Sequence, residues 1–247
     1  MRLFVPGPLQ ADAELALPPG PSRHAQVRRV QPGDLLWLFD GGGCDWPAQV
    51  LRVGRSQVDV RVGVPQPVQR ELPLAVTLAV GMPANERMDT LVEKATELGV
   101  AGIQPLLCER AVLRLDGERA ERKREHWQAV AQSACEQCGR ARVPLLAPVQ
   151  ALPAWLAQRG GSTARRLVLS FQADAVPLAE VADALAPDGE VVALSGPEGG
   201  LAPAEEAAAR AAGFVPVSLG PRVLRADTAP LALLAWFSLR HNGPGAG

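Results

Sequence analysis

Short runs of alternating apolar and polar residues dominate the first 72 positions of the chain. Alternation with a period of two places successive side chains on opposite faces of a strand, so the pattern predicts antiparallel strands at Leu35–Phe39, Trp46–Val53 and Val58–Val62. The glycine-rich stretch Asp40–Gly43 predicts a hairpin turn rather than a phosphate-binding loop, because the residues after it favour a strand and not a helix. We therefore expect a small β-barrel over residues 1–72.

A different pattern begins at Pro73, where apolar runs alternate with segments of helical periodicity. The apolar runs predict buried parallel strands at Leu74–Val80, Ile103–Cys108, Leu167–Phe171, Val191–Ser195 and Val215–Leu219. The other segments predict helices at Asn85–Leu98, Arg119–Cys138, Pro177–Leu185, Pro203–Ala212 and Asp227–Arg240, with Gly99 and Gly213 at C-cap positions. Residues 73–247 are therefore predicted to form an α/β domain with a mostly parallel sheet.

Composition and charge restrict the class of protein without identifying a partner. With 47% hydrophobic and 21% charged residues, the chain can bury a large core. The formal net charge is -1, so any contact with nucleic acid must come from local basic patches. No apolar run approaches the roughly 18 residues of a membrane span, and the first residues lack the pattern of a signal peptide. We expect a cytoplasmic protein that does not cross a membrane.

The four cysteines give little sign of a metal or redox site. Cys135 and Cys138 form a CxxC pair, but no second Cys or His pair lies at zinc-finger spacing, and the surrounding sequence predicts a helix. The pattern favours two thiols on one helix face. We expect no bound metal.

The candidate chemistry lies in the loops that follow two predicted parallel strands, since ligands of open parallel sheets bind beyond the carboxyl ends of the strands. One loop is the glycine-rich segment Gly196–Gly200, and the other is Gly220–Pro230, which carries Arg222 and Arg225. The sequence has neither a phosphate-loop motif nor a dinucleotide fingerprint after the first α/β strand. A serine nucleophile at Ser195 is disfavoured, because Ala193 stands where a nucleophile elbow needs glycine.

Three segments, Val92–Val100, Ser195–Gly200 and Leu219–Ala229, resemble the RsmE family of bacterial 16S ribosomal RNA (uridine-N3)-methyltransferases, which belongs to the SPOUT class. The resemblance covers nearly the whole chain, because further matches occur at Arg2–Phe4, His24–Arg29, Gly33, Asp34, Glu136, Gln137, Arg140 and Pro144. The sequence departs from the family pattern at Asp227, where the family usually has Glu, at Cys108, near which it has Thr or Ser, and at Cys138, where it has Ser.

The resemblance implies an N-terminal PUA-like β-barrel that binds RNA and a C-terminal SPOUT domain with a trefoil knot. It also implies S-adenosylmethionine bound in the knot loops, and a homodimer whose active site lies at the subunit interface. The implied partner is 16S ribosomal RNA or the small ribosomal subunit. The expected cofactor contacts are Leu169, Leu194, Gly196, Pro197, Glu198, Gly199, Gly200, Leu219, Gly220, Val223, Leu224, Thr228 and Ala229.

Methylation of uracil N3 removes a proton, and the developing negative charge spreads onto the ring carbonyl oxygens. A nearby guanidinium would stabilise that charge, so Arg225 is the first catalytic candidate and Arg222 the second. Glu136 is a candidate proton acceptor, although a solvated carboxylate on a helix face is the more common interpretation. Candidate phosphate contacts are Arg23, Arg28, Arg29, Arg110, Arg114, Arg140 and Arg142.

Two alternatives stay open. The chain could be a non-catalytic RNA-binding or ribosome-assembly factor with the same fold, against which the intact loops argue. It could also be a SPOUT enzyme that methylates another RNA position, such as a ribose hydroxyl or a guanine. The final predicted helix places Leu231, Leu234, Trp236 and Phe237 on more than one side, a pattern expected of a helix buried against both its own sheet and a partner subunit.

Overall fold

The computed structural model describes residues 1–159, 163–182, 186 and 188–241, which divide into two compact units. Unit 1 comprises Met1–Glu71 and Gln132–Val143, and unit 2 comprises Leu72–Ala131 and Pro144–Gly247. The structure thus adds to the first unit a twelve-residue segment that the sequence assigns to the second domain. The long helix Gly117–Cys138 is continuous through the point at which this segment begins.

Unit 1 contains a six-stranded sheet and a short helix. The strand order is β1-β3-β4-β5-β2, with β6 paired to β4; β1 runs parallel to β3, and the other pairs are antiparallel. The elements are β1 Arg2–Phe4, β2 Glu14–Ala16, α1 Pro19–Val27, β3 Leu35–Phe39, β4 Cys44–Val53, β5 Val58–Val62 and β6 Gln66–Pro67. The predicted strands and hairpin are confirmed, whereas β1, β2 and α1 were not predicted.

The hairpin between β3 and β4 has the conformation that its glycines allow. Gly41 and Gly43 adopt φ of 90° and 92°, which L side chains rarely reach. Asp40 accepts a hydrogen bond from the backbone N–H of Gly42 at 2.9 Å. Beyond the hairpin, the alternating apolar residues of the strands face a core that includes Leu3, Leu38, Val50, Val60 and Val62.

The segment Gln132–Val143 is held in unit 1 by specific polar contacts. Glu136 Oε1 accepts the backbone N–H of Phe4 at 2.8 Å, and Arg2 Nη1 donates to the carbonyl of Cys135 at 2.7 Å. The backbone N–H of Gly43 donates to the carbonyl of Ala141 at 3.2 Å. Such side-chain contacts leave no periodic signal in the sequence, which explains why this assignment was missed.

Unit 2 contains an eight-stranded sheet whose described pairs are all parallel. The strand order is β10-β8-β7-β13-β11-β14-β12, with β9 paired to β8. The strands are β7 Ala75–Gly81, β8 Gly102–Leu107, β9 Leu145–Leu146, β10 Gln150–Ala151, β11 Arg165–Leu169, β12 Val176–Pro177, β13 Glu190–Ser195 and β14 Val215–Ser218. This confirms the mostly parallel sheet and each of its five predicted strands.

The helices of this part of the chain are α2 Asn85–Glu97, α3 Gly117–Cys138, α4 Leu152–Ala157, α5 Leu178–Ala182, α6 Pro203–Ala211 and α7 Thr228–His241. Gly99 and Gly213 follow helix ends with φ of 91° and 83°, as the C-cap prediction requires. The predicted helix Pro177–Leu185 corresponds to α5, but residues 183–185 lie outside the described part of the chain. Among the described residues, no helix is long and apolar enough to cross a membrane.

Candidate active site

A cleft of about 630 Å³ lies beside the carboxyl ends of β11, β13 and β14 in unit 2. These strands are neighbours in the sheet, in the order β13-β11-β14, so the loops that follow them emerge at one edge. The lining residues are Arg87, Leu169, Ser170, Phe171, Gln172, Ser195, Gly196, Pro197, Glu198, Gly199, Gly200, Leu201, Glu206, Leu219, Arg222, Val223, Leu224, Arg225, Ala226 and Ala229. The two loops singled out by sequence therefore lie against the same cleft.

Glycine is required where the loop Gly196–Gly200 approaches the sheet. A Cβ atom at Gly81, the last residue of β7, would lie 2.5 Å from Pro197 Cδ and 2.6 Å from Pro197 N. A Cβ atom at Gly196 would lie 2.8 Å from the backbone nitrogen of Leu201. Because these distances are shorter than any ordinary carbon contact, a side chain at either position would displace the loop.

Polar contacts fix this loop from two sides. Glu198 Oε1 accepts the backbone N–H of Ala84 at 2.9 Å and contacts Arg87 Nη1 at 3.4 Å, which ties the loop to the start of α2. Arg110 Nη1 donates to the carbonyl of Gly199 at 3.2 Å. The backbone that lines the cleft is therefore held before any ligand binds.

A carboxylate on α6 borders the cleft. Glu206 Oε1 accepts a hydrogen bond from Ser170 Oγ at 2.6 Å and another from Arg210 Nη2 at 3.1 Å. Arg210 Nη2 also donates to Asp174 at 3.0 Å, and this hydrogen bond from the guanidinium lowers the pKa of Asp174. The loop after β11 is thereby connected to α6.

The two candidate catalytic arginines lie on the loop that leads into α7. The carbonyl of Arg225 accepts the backbone N–H groups of Thr228 and Ala229 at 2.9 and 3.0 Å, so its backbone starts the helix while its exposed side chain lines the cleft. Within residues 1–159, 163–182, 186 and 188–241, neither Arg222 nor Arg225 forms a side-chain ion pair. Both guanidinium groups are therefore available to a negatively charged group.

Asp227 occupies the position before the first residue of α7, between the cleft residues Ala226 and Ala229. Its Oδ1 atom is buried and has no hydrogen-bond partner among the described residues. A buried carboxylate oxygen without a donor is costly, so Asp227 carries unmet hydrogen-bonding capacity at the start of α7.

Comparison with known proteins places this geometry in a family. Residues 70–238 match the family model of an RNA methyltransferase domain, and residues 22–63 match that of an RNA methyltransferase PUA domain. The ribosomal RNA small subunit methyltransferase E of Mycobacterium tuberculosis is 37% identical over 85% of this chain and 80% of its own length. The chain belongs to the ribosomal RNA small subunit methyltransferase E family.

Other members of this family support the assignment. The ribosomal RNA small subunit methyltransferase E of Bacillus subtilis is 31% identical over 86% of this chain and 84% of its own length. A crystal structure of the Neisseria gonorrhoeae family member, bound to S-adenosyl methionine, superposes with a TM-score of 0.89 at 36% identity and covers 97% of each chain. The resemblance to RsmE is confirmed, together with a SPOUT methyltransferase-like fold and a PUA-like N-terminal domain.

Most of the cofactor contacts expected from the family resemblance line the cleft. They are Leu169, Gly196, Pro197, Glu198, Gly199, Gly200, Leu219, Val223, Leu224 and Ala229. Gly220 and Thr228 are not part of the lining, and neither is Leu194, whose side chain is fully buried in the core because it lies within β13. The roles of all these residues in binding stay predictions.

The three candidate catalytic residues do not all belong to the same unit. Arg222 and Arg225 line the cleft in unit 2. Glu136 belongs to unit 1, where its carboxylate accepts the backbone N–H of Phe4. Its role as proton acceptor stays a prediction.

One predicted phosphate contact needs correction. Arg140 is only 3% exposed, and its Nε donates to Glu71 Oε2 at 3.0 Å, so its guanidinium stabilises unit 1 instead of facing solvent. Arg110 is exposed but donates to the cleft loop, and Arg114 donates to the carbonyl of Glu109 at 2.8 Å. The remaining candidates, Arg23, Arg28, Arg29 and Arg142, are exposed in unit 1, and their contact with RNA stays a prediction.

Several cleft residues were missed by sequence reasoning. Ser170, Phe171 and Gln172 follow β11, and the strand-end rule would have found them had the strand been ended at Leu169. Arg87 and Glu206 lie on helices and reach the cleft only through the tertiary fold. No local sequence signal identifies them.

Proposed function

We propose that this protein methylates RNA of the small ribosomal subunit, with S-adenosylmethionine as the methyl donor. The observation that carries the proposal is the cleft at the carboxyl edge of the parallel sheet, in which a tightly placed glycine loop faces two arginines without ion-pair partners among the described residues. Membership of the ribosomal RNA small subunit methyltransferase E family and the S-adenosyl methionine bound to the Neisseria gonorrhoeae relative support the same activity.

The residues of the cleft fit this cofactor. Its volume of about 630 Å³ lies within the usual range for small-molecule sites, and its lining combines backbone of Gly196–Gly200 with the apolar side chains of Leu169, Leu201 and Leu224. The close approach at Gly81 keeps that backbone in place. When bound, S-adenosylmethionine supplies an electrophilic methyl group on a sulfonium.

The chain's contribution to the reaction is to hold the target nitrogen in line with that methyl group and to stabilise charge. A uracil that loses its N3 proton carries negative charge on its carbonyl oxygens. Arg225 and Arg222 line the cleft with available guanidinium groups, and we assign the stabilisation of this charge to Arg225 first.

Finer features of the proposal follow the family resemblance. They are methylation at N3 of a uridine in 16S ribosomal RNA, a trefoil knot in unit 2, RNA binding by the PUA-like domain, and action in the cytoplasm.

A homodimer is supported by α7, on which Leu231, Trp236 and Leu239 are partly or fully exposed, with Leu239 81% exposed. Burial of these apolar side chains by a second copy would lower their free energy.

The deciding experiment incubates purified small ribosomal subunits with the protein and isotopically labelled S-adenosylmethionine, followed by mass-spectrometric mapping of the modified nucleoside. We expect label in 3-methyluridine of 16S RNA. Label on a ribose or a guanine would support a different SPOUT activity. Absence of label, with RNA binding intact, would support the non-catalytic alternative.

Cofactor binding is tested separately by calorimetry with a chelator present. We expect binding of S-adenosylmethionine and of its demethylated product without a metal, because backbone and apolar groups supply the site. Loss of binding on chelation would contradict the proposed role of the glycine loop. A light-scattering mass of one chain at micromolar concentration would contradict the homodimer.

A further inference from the structure

Unit 1 contains a cavity of its own, of about 680 Å³, whose lining includes the candidate proton acceptor Glu136. Apart from Arg2, its polar lining comes from two stretches that are far apart in the sequence: His24, Arg28 and Asp34 in the first, and Ser133, Glu136 and Gln137 in the second. Both stretches belong to unit 1. The fold thus brings together chemically varied side chains that do not line the cleft of unit 2.

Glu136 is a fixed hydrogen-bond acceptor in this cavity. Its Oε1 accepts the backbone N–H of Phe4 at 2.8 Å, and its Oε2 lies 3.7 Å from His24 Nδ1. An ionised carboxylate accepts about four hydrogen bonds and donates none, so Glu136 has acceptor capacity left for a ligand. Glu136 can therefore accept further hydrogen bonds from a ligand that offers N–H donors.

The cavity of unit 1 is lined by negative as well as positive side chains, so an isolated phosphate group does not match its charge. Arg2 lines the cavity, but its guanidinium donates to Asp45 at 2.6 Å. The other guanidinium of the lining belongs to the exposed Arg28, whose side chain forms no hydrogen bond among the residues that the structure describes. Two carboxylates, Asp34 and Glu136, face the same space and would repel an isolated anion. An uncharged group with N–H donors, attached to one phosphate, fits this arrangement better.

The other wall of the cavity is apolar. Leu35 is 57% exposed although it is a large hydrophobic residue, and Leu36, Val30 and Met1 lie beside it in the lining. An apolar surface next to hydrogen-bonding groups is typical of pockets that bind an unpaired base, whose face is apolar and whose edge is polar. The cavity volume lies within the range of small-molecule sites.

We propose that this cavity binds one unpaired guanine nucleotide of the RNA, with the base edge on Glu136 and a neighbouring phosphate on Arg28. Guanine offers two adjacent N–H donors to a carboxylate, whereas the single N–H of uracil lies between two carbonyl oxygens that a carboxylate repels. The proposed nucleotide is therefore a different one from the methylated uridine. The proposal rests on the proposed function only in taking RNA as the ligand.

The test measures binding of the full-length protein to fluorescent single-stranded pentanucleotides by anisotropy, without cofactor. The oligonucleotides differ only at the central position, which is guanine, adenine, cytosine, uracil or abasic. We expect the guanine oligonucleotide to bind about tenfold more tightly than the abasic one. Equal affinities for all five would overturn the proposal.

Glu136→Gln removes one carboxylate oxygen and keeps an oxygen that can accept the Phe4 N–H. Glu14→Gln is the matched control, because Glu14 is an exposed residue of unit 1 outside the cavity that pairs with Arg61 at the surface. Both changes remove one negative charge, which by itself strengthens RNA binding. We expect Glu136→Gln to abolish the preference for guanine and Glu14→Gln to retain it; retention in both variants would overturn the proposal.

A second substitution keeps the test decisive if Glu136→Gln unfolds. Arg28→Gln should weaken binding of all five oligonucleotides by a similar factor, reduce the salt dependence, and leave the base preference in place. If Arg28→Gln removed the preference for guanine, that result would contradict the proposal that Arg28 contacts a phosphate and Glu136 contacts the base. Melting temperatures of each variant identify any loss of fold.

Failure of this proposal and failure of the proposed function are distinguishable. A guanine preference in a protein that methylates no RNA leaves the cavity assignment intact and removes only the methyl transfer. Methylation kinetics separate the two roles considered for Glu136. Loss of a base contact raises KM for RNA, whereas loss of a proton acceptor lowers kcat at saturating RNA.

Discussion

The cleft of unit 2 and the cavity of unit 1 are built in opposite ways. The cleft is shaped by backbone, since Gly81 and Gly196 permit a close approach that a Cβ atom would prevent, and its available charges lie on one loop. The cavity of unit 1 is shaped by side chains, because Glu136 and Arg2 connect the segment 132–143 to the first strand by hydrogen bonds. A backbone site is disturbed by added atoms, and a side-chain site by removed ones.

The largest expected effect is a loss of turnover, without a matching loss of cofactor affinity, when a cleft arginine is removed. Arg225→Ala should lower kcat by about 100-fold to 1000-fold, the usual cost of removing one charge-stabilising donor, with little change in cofactor affinity. Turnover, cofactor affinity and melting temperature are measured on the same variant. Arg55→Ala, an exposed arginine in unit 1, is the control.

Each other outcome for Arg225→Ala has a distinct meaning. Unchanged turnover at saturating RNA would remove Arg225 from the catalytic residues. A raised KM with a reduced salt dependence would make it a phosphate contact. Joint loss of cofactor affinity and thermal stability would make it a structural residue of the loop.

An added methyl group should break the backbone site of unit 2. Gly81→Ala places Cβ against Pro197, so we expect S-adenosylmethionine affinity to fall about tenfold or more and stability to fall by about 1–3 kcal/mol. The measurements are calorimetry and denaturant unfolding. In the control Gly20→Ala nothing lies within 4 Å of the added Cβ, and stability should stay the same or rise. Unchanged cofactor affinity in Gly81→Ala would show that the loop position is not needed for binding.

Removal of a side chain should instead break unit 1. Arg140→Ala leaves the carboxylate of Glu71 without its cation, and we expect a loss of about 3 kcal/mol in the free energy of unfolding. The exposed pair of Arg61 and Glu14 provides the control, since Arg61→Ala should cost less than about 1 kcal/mol. Equal effects of the two substitutions would show that the buried pair does not hold segment 132–143 in place.

The smallest expected effect follows from two buried thiols, one in each unit. Burial raises the pKa of Cys108 and of Cys135 from 9.0 to about 12. We expect both to resist alkylation at pH 8 in the native protein, whereas the partly exposed Cys44 and Cys138 react. Mass spectrometry of the labelled peptides identifies each site; rapid labelling of Cys108 or Cys135 without denaturant would contradict their burial.

The same shifts predict a pH dependence of stability. The unfolded chain loses these thiol protons near pH 9.0 while the folded chain keeps them to about pH 12, so stability falls as the pH rises through this interval. Replacement of either cysteine by Ser should reduce the pH dependence of stability.

Arg140→Ala should expose Cys135 to labelling before Cys108, because Cys135 lies in the segment that Arg140 holds.

The sequence by itself determined the features that depend on local patterns. Alternation specified β3 to β5, apolar runs specified the five long strands of unit 2, and glycine at helix ends specified two C-caps. The motifs around Gly196–Gly200 and Arg222–Arg225 predicted loops that the structure brings to one cleft, because the rule for ligands of parallel sheets depends only on strand direction. Three-residue strands such as β1 were missed, since so few residues show no periodicity.

Only the tertiary structure decided which distant residues meet. The neighbouring positions of β7 and β13, the transfer of residues 132–143 to unit 1, and the burial of Arg140 against Glu71 all depend on contacts between parts far apart in the chain. A charged side chain has the same appearance in a sequence whether it pairs inside the protein or faces solvent. Arg222 and Arg225 line the cleft, and their catalytic roles stay predictions. Arg140 is buried, which the sequence did not show because packing sets the environment of a charged side chain.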